Sequence, residues 1–211
     1  AKEELENSND NLYCLGELVH NKEVINYLSE KGLNFIDDIN EATSETIIRA
    51  HGVEKRVYEI AKSKNIKLKD FTCPNVLKIH EIAEQYAKRG FYIFLTGAKD
   101  HPEIIGTISY CGSYLSLITK EDDTLKALRE FEKSKKKKLL LISQTTFSLE
   151  KFYIIKEIVQ NETLKDVELV IKNTICMATE LRQKETDEIS QKVDYMIIIG
   201  GKNSSNTKKL F

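Results

Sequence analysis

Long apolar runs, a charge imbalance and abundant cysteine are all missing from this chain. No stretch approaches the roughly 20 apolar residues that a bilayer span requires, so a membrane protein is not expected. Lys and Arg number 32 against 33 Asp and Glu, a net charge of −1. A chain so balanced has no broad field to draw in nucleic acid or an anionic surface. The one dense basic run, Lys135 to Lys138, reads as a solvated turn ahead of a strand at Leu139–Ser143. Four cysteines in 211 residues do not make a disulfide scaffold. They suit a reducing compartment, with some thiols available to a metal. Residues 1–30 show no basic segment followed by an apolar one of the secretory kind. The cytoplasm is the expected location, or a plastid-type organelle if a transit segment has been removed.

What is present is an alternation of short β-branched or aromatic runs with amphipathic stretches, the pattern of α/β units around mainly parallel sheets. Strands are expected at Leu12–Leu15, Thr46–Arg49, Lys67–Phe71, Phe91–Thr96, Leu115–Ile118, Leu139–Ser143, Glu168–Ile171 and Tyr195–Ile199. Helices are expected at Asn21–Glu30 and Lys55–Lys64, then from Pro74 to about Arg89, and from near Pro102. Further helices are expected at Thr124–Lys133 and Leu149–Gln160, from Cys176 to Lys192, and from near Ser205. Gly32 suits a helix end and Pro74 a first helical turn.

Three glycines end strand-like runs, and each is followed four residues later by a polar group: Gly16 by His20, Gly97 by His101, Gly200 by Ser204. Cys73 lies 24 residues before Gly97, and Cys176 lies 24 before Gly200. The register extends further. Asp70 matches Asn173, Val76 matches Thr179, His80 matches Gln183, and 91–97 overlays 194–200. Chance gives one such interval easily; strand, glycine, loop and cysteine together signal a repeat. A second polar loop follows a strand in two of the copies, Arg49-Ala50-His51-Gly52-Val53 and Ser143-Gln144-Thr145-Thr146-Phe147-Ser148. The expectation is therefore three pseudo-threefold-related α/β units around a central site, at 1–72, 73–172 and 173–211. By the same register, a first cysteine is expected about eight residues before Ala1 and a further loop beyond Phe211, leaving the third unit truncated.

In parallel α/β sheets, ligands bind beyond the carboxyl ends of the strands. The loops there hold His20-Asn21, His51, His101-Pro102-Glu103, Thr145-Thr146 and Ser204-Ser205-Asn206. Helix N-termini surrounded by imidazoles, hydroxyls and an amide make an anion pocket, and a neutral cage of this kind suits a buried diphosphate. Cys73 and Cys176 each open a helix, where thiolate is stabilised. With a third thiol, they match a [4Fe–4S] cluster that has one iron without a protein ligand. Cys14 and Cys111 fall outside the register and read as structural. Glu103, if burial raises its pKa, is a candidate proton donor, and Thr145 could pass the proton on or hold a substrate hydroxyl. His80, seven residues into the helix after Cys73, reads as a helix-surface or packing residue.

These segments, together with Gly16-Glu17-Leu18-Val19-His20-Asn21, Thr72-Cys73-Pro74, Thr174-Ile175-Cys176-Met177-Ala178-Thr179, Arg182-Gln183 and 200–207, resemble the 4-hydroxy-3-methylbut-2-enyl diphosphate reductase family of LytB type. The resemblance covers nearly the whole chain. It implies that Cys73 and Cys176 are two of three cluster ligands. It implies that His20, His51, His101, Ser204, Ser205 and Asn206 bind the diphosphate of an allylic substrate. Catalysis would fall to Glu103 as proton source, His101 beside it, and Thr145 at the substrate's hydroxymethyl group. The implied reaction takes two electrons and two protons, loses the hydroxyl as water, and gives isopentenyl and dimethylallyl diphosphates of the non-mevalonate isoprenoid pathway. Ferredoxin or flavodoxin would supply the electrons. The family's Cys-x-Gly-Val segment and its final serine loop are not in these 211 residues, so this polypeptide alone is expected to be inactive. Two alternatives are another three-cysteine iron–sulfur enzyme, of quinolinate synthase type, and a cluster-free module that binds a phosphorylated ligand. The first needs cationic clamps for a dicarboxylate, which the loops lack.

Overall fold

A computed structural model describes residues 11–19, 21–163, 165–201 and 204–210. Its described strands form two four-stranded sheets with the same plan, ordered β2-β1-β3-β4 and β6-β5-β7-β8. The first comprises β1 (Leu12–Leu15), β2 (Leu33–Ile36), β3 (Thr46–Ile48) and β4 (Leu68–Asp70). The second comprises β5 (Tyr92–Thr96), β6 (Leu115–Ile118), β7 (Lys138–Ser143) and β8 (Glu168–Ile171). Every pairing is parallel, with Leu15 opposite both Ile36 and Ile48, and Thr96 opposite both Ile118 and Ser143. The helices α1 (Lys22–Glu30), α2 (Lys55–Ser63), α3 (Pro74–Lys88), α4 (Pro102–Ile108), α5 (Asp123–Lys133), α6 (Leu149–Glu162), α7 (Met177–Ser190) and α8 (Ser205–Lys208) lie between or after them.

The second sheet is covered on both faces, which is why β5 has all five residues buried. Alternation sorts its side chains. Tyr92, Phe94, Leu139 and Leu141 pack with Phe131 and Phe152 on one face. Phe91, Ile93, Leu95, Leu140 and Ile142 pack with Ile79 and Ala83 on the other. Each fully buried side chain of this size stabilises the fold by about 2 kcal/mol. Helix α3 turns Val76, Ile79, His80, Ala83 and Tyr86 inward, one stripe at helical spacing. Cys14 and Cys111 sit in the apolar clusters, as expected of structural residues.

Element limits match the sequence pattern to within two residues, with two exceptions. Strand β2 was not foreseen. And the segment 195–199, expected as a strand, has no strand geometry: Tyr195, Ile197 and Ile199 are 93%, 86% and 92% exposed. A strand persists only with a partner to take its N–H and C=O groups. Its counterparts β1 and β5 each lie between two strands, whereas no described strand flanks 195–199.

The fold thus delivers matched turns. Gly16 N–H bonds the carbonyl of Ile36 at 2.8 Å after β1, and Gly97 N–H bonds that of Ile118 at 3.1 Å after β5. Beyond β3 and β7, the loops at Arg49–Val53 and Gln144–Ser148 leave each sheet at its carboxyl edge.

Candidate functional site

Two cysteine corners are built on one backbone frame. Cys73 precedes Pro74 as the N-cap of α3, and Cys176 is the N-cap of α7. The N–H of Cys73 donates to the carbonyl of Ala50 at 3.0 Å, and that of Cys176 to the carbonyl of Thr145, also at 3.0 Å. Three residues before each thiol, a short side chain turns the chain toward it. Asp70 accepts from Thr72 N–H at 2.9 Å and Asn173 from Ile175 N–H at 3.1 Å. Such Asx turns fix where the following helix begins. Each cysteine is thereby tied to the polar loop that follows the neighbouring strand, β3 for Cys73 and β7 for Cys176.

At the second corner the loop meets an acid from another element. Glu103, in the first turn of α4 and only 2% exposed, accepts from both the N–H and the hydroxyl of Thr145, each at 2.6 Å. Burial pushes its carboxyl up to about 7, against the smaller opposing pull of the two Thr145 hydrogen bonds. Gln144 braces the loop, accepting from Ala98 N–H at 3.0 Å and donating to Thr146 Oγ1 at 2.7 Å. A Cβ on Gly97 would collide with Ile104 and stand 2.9 Å from that Gln144 oxygen, so glycine is needed for the close approach.

His101 caps α4, its Nδ1 accepting from Glu103 N–H at 3.2 Å. That bond places the ring proton of the neutral imidazole on Nε2. His51 meets His101 edge to face, with ring centroids 5.4 Å apart. The loops at Arg49–Val53 and Gly97–His101 therefore converge. Beside them a cleft of about 200 Å³ is lined by Arg49, Gly52, Val53, Pro102, Ile105 and Gly106, among others. Arg49 lies over Gly16 (φ +72°), where an added Cβ would come within 2.5 Å of Nη1, and donates to the Glu17 carbonyl at 3.3 Å.

The segment from Ser204 reaches the second corner as well. Thr146 donates to Ser205 Oγ at 2.8 Å. Thr179 donates to Asn206 Oδ1 at 3.0 Å and touches Cys176 Sγ at 3.0 Å. Ser204 itself accepts from Thr207 N–H at 3.3 Å. A chain of contacts thus runs from His51 through His101, Glu103, Thr145, Cys176 and Thr179 to Asn206, with Cys73 joined to it at Ala50. Of the candidate residues, His20 lies outside the described residues. Thr179 and Gln183 were not singled out from sequence as site residues. The one hint was their alignment with Val76 and His80, which gave no sign of what they would touch. Of the two readings of His80, helix surface or packing residue, the burial agrees with the second.

The donor set can be weighed against an iron–sulfur cluster. Cys14 and Cys111 are unsuited: each thiol bonds a nearby backbone carbonyl, and burial raises them to about 11 and about 12. Cys73 and Cys176 are only half-buried and sit at helix starts. They are the two thiols among the described residues that could serve such a cluster. Among the described residues, no group of three or more His, Cys, Asp or Glu side chains lies close enough to hold a metal ion.

Residues 1–211 match the family described as LytB protein. The chain belongs to that family. It is 39% identical over 212 residues to the 4-hydroxy-3-methylbut-2-enyl diphosphate reductase of Clostridioides difficile (strain 630), covering 100% of this chain and 74% of that one. The reductase of the same name from Caldanaerobacter subterraneus subsp. tengcongensis is 40% identical over 215 residues, with 100% of this chain and 72% of that one covered. Among solved structures, the E-1-hydroxy-2-methyl-but-2-enyl-4-diphosphate reductase from Plasmodium falciparum superposes with a TM-score of 0.87 at 32% identity. The match spans 99% of this chain and 65% of that one, so the chain is a little under two thirds of that enzyme's length. A second structure, titled (E)-4-hydroxy-3-methyl-but-2-enyl diphosphate reductase, the terminal enzyme of the non-mevalonate pathway, gives 0.73 at 36% identity over 99% and 73% of the two chains. The LytB family is thus reached independently by sequence and by fold. No helix among the described residues is long and apolar enough to cross a membrane.

Proposed function

We propose that this chain carries the reductase chemistry of its family, the reductive dehydroxylation of 4-hydroxy-3-methylbut-2-enyl diphosphate to isopentenyl and dimethylallyl diphosphates. One observation carries the reading. A carboxyl that burial holds near neutrality grips the N–H and hydroxyl of Thr145, and the carbonyl of that same residue anchors Cys176. An acid poised near pH 7 has the driving force to donate and the basicity to recover its proton.

The overall change is substrate plus two electrons and two protons, giving product and water. A [4Fe–4S] cluster with Cys73 and Cys176 among its ligands would supply the electrons, received from ferredoxin or flavodoxin. Glu103 supplies protons. In the protonated state its O–H donates to Thr145 Oγ1, and the threonine hydroxyl turns outward to meet the departing oxygen of the substrate. His51 and His101, with Ser204, Ser205, Asn206 and His20, bind the diphosphate. Units at 1–72, 73–172 and 173–211 each bring a loop to this site, and the cytoplasm is the proposed location. The test uses the full-length enzyme under anaerobic conditions. Glu103→Gln should lower turnover by about 10²–10⁴-fold while inorganic diphosphate still binds. Turnover equal to wild type in that variant would remove Glu103 from the reaction.

A further inference from the structure

His80 takes no part in the chemistry above, yet it is 3% exposed and neither ring nitrogen has a hydrogen-bond partner among the described residues. Its ring stacks on Tyr110 with centroids 4.2 Å apart and planes 12° from parallel. On another side lies Gly52, at φ +70°, where an added Cβ would stand 2.8 Å from His80 Cε1. The loop that carries His51 therefore rests against this imidazole with no room for a side chain. Burying an imidazole without partners costs free energy that phenylalanine would not. Packing alone does not account for the choice.

The repeat indicates what does. Gln183 stands seven residues after Cys176, as His80 stands seven after Cys73. Its amide grips the loop of its own corner from both sides, donating to the Phe147 carbonyl and accepting from Leu149 N–H, each at 3.0 Å. Phe147 lies two residues past Thr145, and Gly52 two past Ala50, the residues whose carbonyls hold the two cysteine N–H groups. So His80 touches the very residue of the first loop that Gln183 holds in the second.

We propose that His80 is a positioning residue: braced by Tyr110, it holds the Arg49–Val53 loop, and with it His51, against the helix that begins at Cys73. Tyr110 follows α4, the helix capped by His101, so one ring sets the first loop relative to the second unit. Only the kinetic arm of the test rests on the reductase reading. The other arm is amide hydrogen exchange on the 211-residue chain, which needs no turnover. Gly52 N–H bonds the Arg49 carbonyl at 3.1 Å and Cys73 N–H bonds that of Ala50, so both amides report the loop.

His80→Ala should speed exchange at Gly52 and Cys73 by about tenfold or more, and leave Phe147 and Cys176 within about twofold of wild type. His80→Gln, which installs the residue of the second corner, should return exchange to within about threefold of wild type. In the full-length enzyme, His80→Ala should raise KM for the diphosphate substrate about tenfold with kcat within about threefold, and His80→Gln should restore it. Unchanged exchange at Gly52 and Cys73 in His80→Ala, or a glutamine variant no better than alanine, overturns the proposal. If His80→Ala does not fold, Tyr110→Leu removes the brace and should show the same localised exchange; its absence there overturns the proposal equally. A wild-type enzyme without turnover would count against the reductase reading and leave the exchange result standing.

Discussion

Around Cys73 the matched positions hold Ala50, His51, Gly52, Val76 and His80; around Cys176 they hold Thr145, Thr146, Phe147, Thr179 and Gln183. The backbone bonds that tie each loop to its cysteine are the same in partner and length. What differs is the chemistry hung on that frame. The first corner presents imidazoles and apolar surface, the second hydroxyls and amides. The hydroxyl at position 145, where the first corner has Ala50, gives the buried Glu103 a second donor beside the backbone N–H. The glycine at position 52, where the second corner has Phe147, lets an imidazole come this close to the loop. On the proposed function, one duplicated scaffold is divided between holding an anion and handling protons.

The comparison breaks most sharply if the second corner is made to resemble the first. Thr145→Ala installs the residue found at position 50. The backbone carbonyl that binds Cys176 survives, so the cysteine should stay in place. The route from Glu103 is cut, and turnover of the full-length enzyme should fall about a hundredfold or more, with Thr145→Ser retaining most of it. Anaerobic steady-state kinetics decide the point. Alanine turning over as fast as threonine would mean the two loops are chemically equivalent after all.

A somewhat smaller effect separates the corners by pH. Glu103 has its carboxyl raised by burial to about 7 from 4.5, so between those values the folded chain keeps a proton that the unfolded chain releases. Its contribution to stability is present below about pH 4.5 and is lost as pH rises through about 7, a change of about 3 kcal/mol. His80 runs the other way. Burial lowers its imidazole from 6.5 to about 4, so its contribution is present above pH 6.5 and lost as pH falls toward 4. Urea unfolding at several pH values should show Glu103→Gln gaining on wild type toward alkaline pH, and His80→Gln gaining toward acid. Parallel profiles for the two variants would deny that the corners differ in this respect.

Most of the scaffold was legible because its signals are local. Five buried residues ended by Gly97 announce β5, and an Asx residue three before a cysteine announces the turn and helix start. The acid–hydroxyl pair was legible for the same reason, since Glu103 and Thr145 both follow strands whose ends must coincide in a parallel sheet. What escaped was non-local. In Leu33–Ile36 a polar Asn34 interrupts a four-residue apolar run, and the segment becomes a strand because β1 offers an edge. Tyr195–Ile199 is a continuous apolar run with no described strand beside it. His80 and Gln183 were seen to share an offset, and residues three and seven past a helix start share a face. Nothing in that spacing says that a loop from 28 or 36 residues earlier comes down on the face (52 to 80, 147 to 183).

The smallest expected effect concerns Thr179, the hydroxyl that stands where the first corner has Val76. Buried at 2% exposure, it touches Cys176 Sγ and Asn206 Oδ1, both at 3.0 Å, and has one proton to give. When the thiol is protonated, S–H can donate to the hydroxyl and the hydroxyl to Asn206, so all three groups are satisfied. Thr179→Val keeps the shape and copies the first corner. It removes both bonds and leaves the amide oxygen of Asn206 without this donor. Because the segment at 204–210 is partly open to water, that oxygen recovers much of its hydration, and the loss should be about 1 kcal/mol of stability. Thr179→Ser should recover it, and Gln183, one turn further on, should keep its grip on Phe147 in either variant. Urea unfolding of the three chains at neutral pH measures this directly. A valine variant as stable as wild type would mean that the hydroxyl of the second corner serves the bound enzyme alone, and that the two corners fold on equal terms.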